Sequence, residues 1–159
     1  SRCLRARANA GIVGTEILSR KINGAAPVPS ISRAFVMDIT VGYPELLLLR
    51  MDLLDTTYSQ LIYAGVTPTV VLAFRGKASR FITKNPKYLT SEHQKYRLEM
   101  KTLLELFHEL GFTIEQCGIA AAAQKIDPKD FFPQVKVVQN SYISLIGYQN
   151  QGYAFIPMD

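Results

Sequence analysis

The chain has 159 residues, a formal net charge of +5, 48% hydrophobic and 19% charged residues, a composition typical of one soluble globular domain. No apolar run approaches the roughly 18 residues that a membrane-spanning helix needs, so we expect no membrane partner. Two cysteines are too few for a disulfide framework, so a reduced, cytoplasmic protein is expected. Because the chain starts at Ser1 rather than Met, an exported form stays open.

The positive charge is concentrated at the start of the chain. Residues 1–33 hold six basic residues against Glu16, whereas the rest of the chain has 12 basic and 12 acidic residues. Residues 24–30 read GAAPVPS, which is a linker composition. A nucleic-acid-binding domain carries its basic residues on folded elements, so we expect no nucleic-acid partner. We predict a basic tail over 1–32, partly disordered or extended, and a folded domain over 33–159.

Strand-like segments recur through the folded domain. They cover residues 34–41, 67–74, 112–117, 135–139 and 153–158. Residues 70–74 are continuously apolar, as expected for a parallel strand that is buried on both faces. Pro157 indicates that the last strand lies at an edge of the sheet. Alternation of these strands with helices predicts an α/β fold: a mostly parallel five-stranded sheet with helices on both faces.

Helical segments separate the strands. They are predicted over residues 45–64, 91–110, 118–125 and 141–151. Pro44 suits the first position of the first helix, and Gly65 and Gly111 are typical of helix ends. Ser91 and Gln94 form a capping-box pattern, which predicts that the second helix starts there.

Ligand-binding and catalytic groups of such sheets gather outside the carboxyl ends of the strands. This rule selects Gly42–Tyr43, Arg75–Gly76, Cys117–Gly118 and Asn140. We expect these four places to lie on one rim of the sheet.

Cys117 is the candidate catalytic residue. It ends a predicted strand directly before a helix that begins at Gly118. The partial positive charge of the helix N-terminus would stabilise a thiolate or a persulfide anion, and Gly118 leaves room for a substrate or partner. The alternative is a small buried residue packed under the helix. His93 and His108 lie 15 residues apart in one predicted helix and are interpreted as helix-face residues, so we expect no metal site.

The candidate substrate-binding residues are Gly118, Arg75, Gly76 and Asn140. Backbone amides after the second strand could face an anion, although Arg75 could equally be a surface or interface residue. Asn140 has a sufficient role as a helix cap. Neither a phosphate-binding loop nor a dinucleotide-binding motif is present in the sequence, and we expect no cofactor.

Several segments together resemble the DsrE/DsrF-like family. They are EQCG (115–118), GIAA (118–121), IDP (126–128), PQVKVV (133–138), SLIGYQ (144–149), QGYA (151–154) and VLAFRG (71–76). The resemblance covers about residues 34–159. It implies a flavodoxin-like domain that assembles into trimers or hexamers, with a cysteine that carries sulfur as a persulfide and passes it to a partner's cysteine. Cys117 matches that cysteine. Since the folded part has no second cysteine, a complete relay would need a partner protein or a small thiol.

Three hypotheses therefore stand. The first is a sulfur carrier, sulfurtransferase-like, with the persulfide on Cys117 and with Arg75 and Asn140 as rim residues that contact an anion or substrate; whether it is an enzyme is left open. The second is a non-enzymatic, oligomeric module that binds a small anion. The third is an oligomeric structural protein in which Cys117 is only packed.

Overall fold

The computed structural model describes residues 34–159, so the predicted tail over 1–32 lies outside the described residues. The described part contains the strands β1 (Ala34–Ile39), β2 (Thr69–Phe74), β3 (Thr113–Cys117), β4 (Val135–Val138) and β5 (Ala154–Met158). They form one sheet in the order β4-β3-β2-β1-β5, and every pairing is parallel. The predicted five-stranded parallel α/β fold is confirmed.

Four α-helices connect these strands. They are α1 (Pro44–Tyr63), α2 (Gln94–Glu109), α3 (Gly118–Ala123) and α4 (Ser141–Asn150). Short 3₁₀ segments cover Gly76–Ile82, Pro86–Tyr88, Ser91–His93 and Pro128–Asp130. No helix in residues 34–159 has the length and apolarity that crossing a membrane requires.

The strand order determines which face each helix covers. From β1 to β4 each connection steps in one direction across the sheet, so right-handed crossovers put α1, α2 and α3 on one face. The connection from β4 to β5 runs back across the whole sheet, which puts α4 on the other face. The prediction of helices on both faces is therefore confirmed, although α4 alone covers the second face.

Each face of the sheet has its own apolar core. The larger core packs β1, β2 and β3 against α1 and α2, with Leu47, Met51 and Phe107 completely buried. The smaller core contains Val36, Val71, Ala73 and Leu145 under α4. Because β1 and β2 contribute to both cores, their near-continuous apolar sequence follows directly from burial on both faces.

Most of the prolines and glycines that were predicted at helix ends and at the sheet edge lie there. Pro44 occupies the first turn of α1. Gly65 and Gly111 follow helix ends with φ of 82° and 86°, a conformation that glycine adopts without steric cost. Pro157 lies in β5, which is an edge strand.

The predicted capping box at the start of the second helix is wrong. Ser91 starts a 3₁₀ turn and makes no capping hydrogen bond there, and α2 begins only at Gln94. The Gln94 side-chain amide instead donates to the carbonyl oxygens of Pro86 and Leu89. The Gln94 side chain therefore bonds to the turn before the helix and not to a helix cap, and the spacing of Ser91 and Gln94 in the sequence does not reveal this turn.

Candidate functional site

Arg75 and Cys117 lie side by side at the carboxyl ends of β2 and β3. Phe74 pairs with Gln116 in the parallel register, so the next residues on each chain are neighbours, about 4.8 Å apart across the sheet. Alternation along the strands puts both side chains on the face that α4 covers. The predicted rim therefore brings these two candidates together.

Cys117 is almost completely buried, with 6% of its surface exposed. Its sulfur accepts a hydrogen bond from the Ser141 amide at 3.5 Å. Burial by itself raises the pKa of the thiol, but the hydroxyl and amide of Ser141 and the amides of Ala120 and Ile119 outweigh it. The pKa of Cys117 consequently lies below its ordinary value of 9.0, because these donors stabilise the thiolate.

The N-termini of two helices lie beside this sulfur. Ile119 and Ala120 belong to the first turn of α3, and Ser141 is the first residue of the ten-residue helix α4. The Ser141 hydroxyl is buried and has no hydrogen-bonding oxygen or nitrogen partner among residues 34–159, so its proton is available to the sulfur. The sequence predicted both helix starts, but not that the start of α4 lies at this sulfur.

The Arg75 guanidinium is held by Asp38 of β1. Nε and Nη2 donate to the two carboxylate oxygens, each at 2.6 Å. This bidentate hydrogen bond is the main reason that the pKa of Arg75 is raised. Electrostatic interactions with Asp38, Tyr142 and Cys117 raise it further, against the effect of burial. The Arg75 backbone amide donates to Ile39 O at 3.0 Å, so it extends the sheet and is not free for an anion.

Tyr142 lies over this arginine. The guanidinium carbon is 5.0 Å from the centre of the Tyr142 ring, and Nη1 donates to Tyr142 Oη at 3.5 Å. Since Tyr142 follows Ser141 in the first turn of α4, one turn of helix reaches both the sulfur and the guanidinium.

The remaining predicted site residues have structural roles in the described residues. Asn140 caps α4 by accepting from the Tyr142 amide at 3.0 Å, as its capping interpretation predicted. A Cβ atom at Gly118 would lie 3.0 Å from Val138 O, so glycine here lets the end of β4 pack against α3. Gly76 has a φ of 59°, a left-handed backbone conformation that glycine adopts without steric cost. Direct contact of these residues with a substrate stays a prediction.

Sequence reasoning missed Glu115, which is also buried under α4. Its carboxylate accepts hydrogen bonds from Ser144 Oγ at 2.6 Å and Tyr148 Oη at 2.7 Å. Burial, together with the Glu115 carboxylate, strongly raises the pKa of Tyr148. Glu115 thereby ties α4 to β3 two residues before Cys117. Asp38 was missed in the same way. Each is an acidic residue inside an otherwise buried strand, which is a readable signal.

The other candidate clusters lie away from the rim. His108 is an exposed residue of α2, as its helix-face interpretation predicted. His93 packs between the rings of Phe81 and Tyr96, but it lies in the 3₁₀ turn Ser91–His93 before α2 and not in the predicted helix. Residues 34–159 contain no group of three or more His, Cys, Asp or Glu side chains that could hold a metal ion. Tyr148 and Tyr153 pack together with ring centres 4.9 Å apart beside the smaller core.

Comparisons with known proteins identify a family, a relative and a similar structure. The model of the DsrE/DsrF-like family matches residues 46–158. An uncharacterized protein of Aquifex aeolicus (strain VF5) is 32% identical over 126 residues, which are 77% of this chain and 54% of that protein. The chain thus spans about half the length of this curated relative. A protein of unknown function from Methanobacterium thermoautotrophicum has a similar structure, with a TM-score of 0.60, 16% identity and coverage of 78% of this chain and 97% of that chain. At this identity the similarity shows the fold.

Proposed function

The chain belongs to the DsrE/DsrF-like family, and from this premise we propose that it is a sulfur carrier that holds a persulfide on Cys117. The observation that carries the proposal is the convergence of two helix N-termini and the Ser141 hydroxyl on one sulfur atom, whose pKa is lowered. The positive ends of the helices also favour a persulfide anion, whose negative charge lies on the outer sulfur, one bond beyond Sγ. The proposal includes a cytoplasmic location, where thiols stay reduced.

Loading and unloading are two thiol exchange steps. The Cys117 thiolate attacks the outer sulfur of a donor persulfide; a new bond forms between Sγ and that sulfur, the donor's sulfur–sulfur bond breaks, and the donor leaves as a thiolate. In the second step an acceptor thiolate attacks the outer sulfur and Cys117 leaves as a thiolate. A leaving group of low pKa speeds this second step. The steps need no external oxidant or reductant.

The acceptor must come from outside the folded domain. Cys3 and Cys117 are the two cysteines of the sequence, and Cys117 is the free cysteine of the described residues. The carrier therefore passes its sulfur to a partner protein or a small thiol. Whether it also accelerates the transfer as a sulfurtransferase is decided by comparing rates with those of a free thiol.

The test uses Cys3→Ser as the background, so that Cys117 is the remaining thiol. This variant is incubated with inorganic polysulfide and its intact mass is measured. We expect a mass gain of one sulfur atom, reversed by a reducing thiol. The matched control is the Cys3→Ser/Cys117→Ser double variant, which should gain nothing. No gain in the background variant, or an equal gain in the control, would overturn the proposal.

Self-association as a trimer or hexamer is part of the same proposal. Its support is a set of exposed apolar side chains on α4 and β5: Ile143, Ile146 and Phe155. Exposed apolar surface of this kind is typical of interaction sites. Light scattering coupled to gel filtration measures the assembly, and a monomer at micromolar concentration would contradict it.

A non-enzymatic anion-binding module is the second candidate, favoured by the partial exposure of Arg75 at the rim. It predicts binding that Cys117→Ser leaves unchanged, which a thermal-shift screen of small anions measures. Persulfide loading of Cys117 would favour the sulfur carrier over the anion-binding module.

A further inference from the structure

One edge of the Arg75 guanidinium remains available for a ligand. Asp38 takes the Nε and Nη2 edge with two short hydrogen bonds. Nη1 has one long contact, 3.5 Å, to Tyr142 Oη, which is at the limit of hydrogen-bond distance. The arginine side chain is 28% exposed, whereas that of Asp38 is 10% exposed. The carboxylate therefore lies behind the guanidinium and orients its free edge toward the rim.

The free edge and the sulfur of Cys117 belong to one site. Their strands are neighbours in register, and the Cys117 charge is among the causes that raise the pKa of Arg75. The buried Ser141 hydroxyl, without a hydrogen-bonding oxygen or nitrogen partner in residues 34–159, lies at the same sulfur. Tyr142 covers Nη1 but is 58% exposed, so its side chain has room on the solvent side to turn away from the edge.

We propose that Arg75 binds the oxyanion of a small sulfane donor of the thiosulfate type while Cys117 takes its outer sulfur. The inference rests on the proposed carrier function and names the class of donor. The sulfonate oxygens accept from Nη1, and the outer sulfur lies against Cys117 Sγ. An arginine oriented by a buried carboxylate suits this role, because its planar guanidinium matches an oxyanion.

The reaction balances without a further reagent. The Cys117 thiolate attacks the outer sulfur of thiosulfate, and a bond forms between Sγ and that sulfur. The sulfur–sulfur bond of thiosulfate breaks, and its electron pair leaves with sulfite. Cys117 is left as the persulfide anion, and the total charge is unchanged. Arg75 stabilises the sulfite that develops as the leaving group.

The first test compares two alkylating reagents that differ in charge. Iodoacetate is an anion and iodoacetamide is neutral, and both transfer a carbon to Cys117 with loss of iodide. In the Cys3→Ser background, the ratio of their rates measures anion binding beside the sulfur. We expect Arg75→Gln to lower this ratio on the order of tenfold, as for loss of one hydrogen bond to a charged group.

Two further variants keep the test decisive. Asp38→Asn/Arg75→Gln avoids a buried carboxylate without its arginine and should lower the ratio as much as the single variant. Lys77→Ala removes an exposed positive charge two residues away and should leave the ratio within about twofold of the background, because exposed charges interact weakly through water. An unchanged ratio in the double variant, or an equal fall in the lysine variant, would overturn the site.

The second test measures sulfur loading by mass. The Cys3→Ser protein should gain one sulfur from thiosulfate, and the Asp38→Asn/Arg75→Gln variant should gain it about tenfold more slowly. Both proteins should load at similar rates from polysulfide, because polysulfide has no oxyanion group of this shape. Loading from polysulfide but not from thiosulfate would overturn the donor class alone. If neither donor loads the protein, the carrier proposal fails, and the alkylation ratio still decides whether Arg75 is an anion site.

Discussion

Ser141→Ala should raise the pKa of Cys117 and slow its reaction with alkylating reagents. The substitution removes the hydroxyl but keeps the Ser141 backbone amide that donates to the sulfur at 3.5 Å. Among the groups that lower the pKa of the thiol, this hydroxyl has the largest effect, ahead of the amides of Ser141, Ala120 and Ile119. Its loss therefore removes the strongest of the donors that oppose burial.

The magnitude follows from hydrogen-bond energetics. A hydrogen bond to a charged group contributes about 1.5–3 kcal/mol, and we take the lower value because three amides remain. About 1.4 kcal/mol corresponds to a tenfold smaller ionisation constant. A more basic thiolate is also a better nucleophile, with a Brønsted coefficient of about 0.4–0.5, which restores about threefold of the rate. We expect alkylation about threefold slower at a pH below the pKa of both proteins.

The assay is the rate of iodoacetamide modification as a function of pH in the Cys3→Ser background. Its inflection reports the pKa of Cys117, which should move upward in the Ser141→Ala variant. Ser144→Ala is the matched control, because it removes a hydroxyl one turn later in α4 that donates to Glu115 and not to the sulfur. Identical pH–rate curves for background and Ser141→Ala would refute the assigned role of the hydroxyl.

Three further predictions concern stability, measured by urea unfolding. Gly118→Ala puts a Cβ 3.0 Å from a carbonyl oxygen of β4 and should destabilise the fold by about 1–3 kcal/mol. Gly147→Ala is the control, because a Cβ there has no atom within 4 Å and should not destabilise the fold. Equal effects of the two substitutions would contradict the prediction. Tyr148→Phe removes a donor to the buried Glu115 and should lower the unfolding free energy by about 1.5–3 kcal/mol; a neutral result would contradict the role of Glu115 in tying α4 to β3. Because the folded pKa of Cys117 lies below the ordinary 9.0, unfolding free energy should rise with pH between the two pKa values and lose this increment as pH falls through the folded one. The increment should be absent in Cys117→Ser.

Much of the site could be read from local sequence. Arg75 follows a continuously apolar segment that predicts a buried parallel strand, and Cys117 ends the strand predicted over residues 112–117. The carboxyl ends of such strands share a rim. The capping role of Asn140 needs only its own neighbours, since its acceptor and the Tyr142 amide are two residues apart. Period and composition thus determine the α/β class and the strands, because both are local properties of the chain, and the rim follows from the parallel class.

The partners at the rim were decided only by tertiary structure. Asp38 lies 37 residues before Arg75, and Ser141 lies 24 residues after Cys117; no local pattern links them. They meet because β1 and β2 are neighbours and because the connection from β4 to β5 carries α4 back across the face that β3 presents. Strand order depends on how both faces of the sheet bury their apolar side chains together, and the hydrogen bonds at Cys117 and Arg75 follow from that order.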